Sequence, residues 1–176
     1  MENYTWDYKI LKPSDLPEKA QRFIEIMDID TTFLRLMILK ADPNGVFNKS
    51  FDKLNEKKPG NDWSAIAETD AIFFFDDYPT ARTAIHELTH IYLYQSRYEK
   101  GHHDLEAICE NFIALHGEMT LTDYAYINFL EDDWDEVICE IVATYGSEGQ
   151  FDKIKELFNP EIHAIADEEL PPILLL

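Results

Sequence analysis

Two histidines four residues apart with an acid between them, His86, Glu87 and His90 in "TAIHELTHIYLYQ", are the residues of this chain best suited to chemistry. Residues i and i+4 of an α-helix lie on one face, a turn apart, so both imidazoles can present a ring nitrogen to one cation. Zinc accepts such nitrogens at about 2.0–2.1 Å. Glu87 falls beside the pair, where its carboxylate can take a proton from a water that the cation polarises. That is the working principle of His-Glu-x-x-His in zinc peptidases. At average residue usage a chance match in such a chain comes to about 0.5%, so the pattern outweighs two histidines on an ordinary amphipathic helix. Ile85, Leu88, Thr89, Tyr92 and Leu93 supply the apolar and small residues that pack such a helix.

A catalytic zinc takes three protein ligands and keeps one position open. No third histidine follows at the spacing of the extended motif, where Ser96 stands instead, so a glutamate from a later helix is the expected donor. Glu106 is the first candidate. It opens Glu-Ala-Ile-Cys-Glu, so Glu110 lies one turn on and can hydrogen-bond the far nitrogen of a ligand histidine. If two straight antiparallel helices meet at "YEKGHH", Glu110 itself lies more nearly level with His90. Glu136, with Glu140 behind it in "EVICE", is the third option. His102 and His103 are adjacent and point apart, which suits a surface turn better than one metal. His116, Tyr92, Tyr94, Tyr98, Tyr124 and Tyr126 are candidates for a hydrogen-bond donor to the reacting carbonyl, although aromatics at these spacings are mostly core. A structural zinc would need a fourth protein ligand, and the sequence offers none that convinces.

The elements that must position these residues follow from patterning. "YTWDYKIL" alternates as a strand, and "LPEKAQRFIEIM" reads as a helix with Phe23, Ile24 and Met27 at helical spacing. "TFLRLMILKA" leans to strand, and "TDAIFFFDD" suits a buried strand just ahead of the histidine helix, where a zinc peptidase keeps the edge strand that pairs with substrate. The polar stretch from Asp42 to Asp62 carries Pro-Asn-Gly and Pro-Gly turn signals and reads as an excursion. After Pro79 the pattern is helical. Pro79 and Thr80 start the histidine helix, Gly101 is a plausible stop, and Asp104 can cap a second helix to about Gly117. Thr122 or Asp123 opens a third, broken near Asp132 and Asp133, and "FDKIKELF" forms a last one. Strands with one helix first and helices afterwards make an α+β arrangement, expected as one domain over residues 1–176.

Composition narrows the function further. The chain has 176 residues and 45% hydrophobic content, enough for one sizeable core. It shows no secretory leader and no apolar run long enough for a membrane span, so a cytoplasmic protein is expected. Cys109 and Cys139 sit in apolar patterns and read as reduced and buried. Net charge is −20, and between Lys100 and Lys153 there is no Lys or Arg while Asp and Glu recur from Asp104 to Asp152. Such a field repels nucleic acid and favours a basic protein or peptide as partner. The end, "PPILLL", suits docking on the chain's own core or a neighbouring subunit.

On "HELTH" and "EAICENFIA", over about Thr69 to Glu118, the chain resembles the short gluzincin-type zinc metallopeptidases, in particular the ImmA/IrrE-like and phage-associated minigluzincin proteins. Thr89 stands where Gly is frequent in that family, and Cys109-Glu110 where Ala-Asn is usual. The resemblance implies a small zincin-like domain in which His86, His90 and Glu106 bind Zn2+ and Glu87 is the general base. It also implies an association with prophages and cleavage of a DNA-bound repressor. The expected function is therefore a zinc endopeptidase acting on a basic protein. The alternative is a binding protein on the same scaffold, whose acidic surface imitates DNA or captures a basic partner.

Overall fold

A computed structural model of the chain describes residues 8–39, 65–75, 79–96 and 102–159, with the side chains of His102 and His103 outside that description. In chain order the elements are β1 (Tyr8–Leu11), α1 (Glu18–Ile26), β2 (Arg35–Leu39), β3 (Ala65–Ala67), β4 (Ala71–Phe74), α2 (Ala81–Gln95), α3 (His102–His116), α4 (Asp123–Leu130), α5 (Trp134–Ser147) and α6 (Phe151–Leu157). This is an α+β fold. Among the described residues no helix is long and apolar enough to cross a membrane. The Asp42–Asp62 excursion, the Gly101 stop, Tyr98 and the "PPILLL" end lie outside the described residues.

The four strands form one mixed sheet in the order β1-β2-β4-β3. β1 and β3 run antiparallel to their neighbours, and β2 pairs parallel with β4. All four residues of β4 are buried, as befits an interior strand. Ile72 and Phe74 join Leu36 and Ile38 of β2 in the main core with the helices. Ala71 and Phe73 alternate to a second apolar cluster with Leu39 and Ile66. Among the described strands β4 is thus interior, and the edge position expected of "AIFFF" belongs to β3.

α5 is the hub of the helical half. It packs against α2 most extensively and also against α1, α3, α4 and α6. Val137, Ile138, Cys139, Ile141, Val142 and Ala143 are all buried, so the helix is apolar nearly all round, the mark of a core helix. Ile85, Leu88 and Ile91 of α2 are fully buried beside it, each contributing about 1.5–3 kcal/mol by leaving water. Gly146 lets the helices approach closely, since a Cβ there would stand 2.8 Å from Cδ1 of Ile85.

Candidate metal centre

α2 starts where the sequence placed it. Thr80 is the N-cap, and its hydroxyl oxygen accepts from Thr83 N–H at 3.1 Å. Thr89 is fully buried and satisfied, its hydroxyl donating to the Ile85 carbonyl at 2.7 Å. His86 and His90 share one face, ring centroids 5.3 Å apart, and look directly at α5.

The break between α4 and α5 decides what they meet there. Asp132 turns the chain with φ of 59°, a left-handed conformation that Asp tolerates better than most residues. Asp133 then caps α5. The turn aims Asp135, Glu136, Cys139 and Glu140, two adjacent pairs one helical turn apart, at the two imidazoles. Glu136 bridges them. Its Oε2 lies 3.1 Å from Nε2 of His86 and its Oε1 lies 3.1 Å from Nε2 of His90. On the far side of each ring, Nδ1 of His86 donates to Glu140 at 3.2 Å and Nδ1 of His90 donates to Asp135 at 2.9 Å. The hydroxyl of Tyr124 donates to Oε2 of Glu136 at 3.0 Å.

Electrostatics follow from this packing. Burial by itself pushes His86 toward the neutral form, but the Glu136 and Glu140 carboxylates override it and raise its pKa to about 9. His90 is likewise raised well above its ordinary value, its burial outweighed by Cys139, Asp135 and Glu136. Burial works to raise Glu136, yet the two histidines hold its carboxyl well below the usual range. Burial and the neighbouring Glu136 charge raise Tyr124, so its hydroxyl keeps its proton.

The cluster opens into a cleft of about 350 Å³ lined by β3, His86, Glu87, His90, Tyr124, Asn128, Asp133 and Glu136. Glu87 is 8% exposed and lies on that wall. Ligand atoms of His86, His90 and buried Cys139 lie within 4.8 Å of one another, so this group could hold a metal ion. Glu136 is the other neighbour of both rings, with one oxygen 3.1 Å from each Nε2. Glu136 lines the open cleft, whereas Cys139 does not, and burial pushes the Cys139 thiol up to about 12.

The structure therefore brings together His86, Glu87 and His90 as the sequence pattern requires, and leaves Glu106 elsewhere. Glu106 and Glu110 are exposed on α3, which packs against α5 rather than lying along the histidine face of α2. His116 packs on Phe112, with ring centroids 4.8 Å apart, and lines a different cavity. Tyr92 packs on Phe158, and Tyr124 alone of the candidate tyrosines described lines the cleft. Cys139 as a donor, Asp135 and Arg82 were not singled out by sequence reasoning. Both cysteines are buried and free. No protein-family model, curated protein or solved structure matches this chain.

Proposed function

We propose that this chain is a zinc-dependent endopeptidase of zincin-like design, with His86, His90 and Glu136 as metal ligands and Glu87 as general base. The observation that carries this reading is the Glu136 carboxylate set 3.1 Å from both Nε2 atoms at the floor of an open cleft. Glu136 takes the ligand role expected of Glu106. Bound zinc would polarise the scissile carbonyl and lower the pKa of the attacking water toward about 7. Around it, Asp135 and Glu140 hold the Nδ1 protons and so leave both Nε2 lone pairs turned to the metal. Glu87 accepts the water proton and hands it to the leaving amine. Tyr124, a protonated hydroxyl on the same wall, can donate to the carbonyl oxygen as it becomes negative. An extended peptide fits along β3, the edge strand that forms one side of the cleft. The acidic surface, net charge −20, supports a basic protein as substrate, for instance a DNA-bound regulator.

The deciding experiment is zinc content after purification without added metal, for wild type and for Glu106→Gln, Glu110→Gln and Glu136→Gln. About one zinc per chain, lost only in Glu136→Gln, supports the reading. A wild type that takes up no zinc even when supplied refutes it. That result would favour the acidic binding protein, whose effect would survive Glu87→Gln and dissolve in salt.

A further inference from the structure

We propose that Arg82 is a positioning residue for this centre: it grips the Glu140 carboxylate so that Glu140 can fix the ring of His86. The inference rests on the reading of His86, His90 and Glu136 as ligands. Arg82 precedes His86 by one turn of α2, on the same face. Its Nη2 donates to Oε1 of Glu140, and its Nη1 donates to Oγ1 of Thr144 at 3.0 Å.

The two hydroxyls in this small network each donate to one partner and accept from another. The Thr144 hydroxyl donates to the Glu140 carbonyl at 2.9 Å, which leaves its oxygen to accept from Arg82. The Thr122 hydroxyl accepts from Ala125 N–H at 3.1 Å and donates to Oε1 of Glu140 at 3.3 Å. Oε1 is thus held by Arg82 and Thr122, and Oε2 is left for Nδ1 of His86.

The grip has a purpose because Glu140 has somewhere else to go. It also lines a cavity of 320 Å³ bordered by Thr122, Thr144 and Tyr145. The terminal torsion of a glutamate is broad, so its own preferences do not stop the carboxylate turning into that space. A histidine that loses the acceptor on Nδ1 loses its fixed tautomer and orientation, and metal affinity falls with them. Lysine is no full substitute, since one ammonium cannot span Glu140 and Thr144 as the planar fork does.

The test compares Arg82→Gln, Arg82→Lys, Glu140→Gln and the Arg82→Gln/Glu140→Gln double variant. Two quantities are read: zinc affinity by chelator competition, and, in metal-stripped protein, the exchange lifetime of the His86 Nδ1 proton by NMR. Arg82→Gln should weaken zinc binding about tenfold, the low end of the range for groups behind a ligand, and shorten the proton lifetime. Arg82→Lys should recover part of both. In the Glu140→Gln background, Arg82→Gln should add nothing. Wild-type affinity in Arg82→Gln, or effects of the two single variants that simply multiply, would overturn the proposal. If the wild type takes up no zinc, the metal reading fails by itself, and the proton lifetime still decides: no change in Arg82→Gln overturns the role of Arg82.

Discussion

Zinc binding to the metal-free chain should displace two protons, and its affinity should climb steeply with pH. Without metal, His86 and His90 carry protons because Asp135, Glu136 and Glu140 surround them. A dication that replaces two protons leaves the charge of the site unchanged, so the same carboxylates serve both states. His86 has its pKa raised to about 9, so at pH 7 its ring is neutral in about one molecule in a hundred. Freeing it there costs about 2.7 kcal/mol. On this account alone zinc affinity should rise about 50-fold from pH 7 to 9, where half the rings are neutral, with His90, also raised, steepening the slope toward two decades per unit. The assay is competition against a chelator of known pH dependence, with protons counted by calorimetry in two buffers of different ionisation heat. Flat affinity over this interval, with no proton released, would refute the placement of the histidines among these carboxylates. Stability of the metal-free chain should run the other way. The raised His86 contributes fully below its ordinary 6.5 and loses that contribution as pH climbs through about 9. Glu136, depressed, contributes above its ordinary 4.5 and less as pH falls.

Three further outcomes are expected. Glu87→Gln should keep its zinc and lose about 10²–10⁴-fold in peptide hydrolysis, measured on a basic protein substrate; loss of metal instead would make Glu87 a ligand or a structural residue. Cobalt-loaded protein should show no sulfur-to-metal charge-transfer band, and Cys139→Ala should bind metal as wild type does; a band that vanishes in Cys139→Ala would put the thiol in the coordination sphere. Thr80→Ala, which removes the cap of α2, should destabilise the chain by about 1 kcal/mol, read as a Tm drop of about 2–4 °C, with zinc content unchanged.

Local pattern was enough for much of this protein. The i, i+4 histidines with Glu87, the Thr80 cap, the strand character of residues 35–39 and the interruption at Asp132–Asp133 all depend on contacts within a turn or two, and each is visible in residue order. The third carboxylate was not. "EAICE" at Glu106 and "EVICE" at Glu136 carry the same spacing, so no rule about neighbours in sequence separates them. What separates them is which helix packs on α2. α5 does, because "VICEIVA" is apolar on nearly every side and must be enclosed by other elements, whereas α3 leaves Glu106 and Glu110 in water. That all-round apolarity was the one signal in the sequence that could have pointed to Glu136. Which carboxylate faces the histidines, and with it the raised histidines and the Arg82–Glu140 contact, came from helices brought together across some fifty residues of chain, a distance over which burial decides and spacing says nothing.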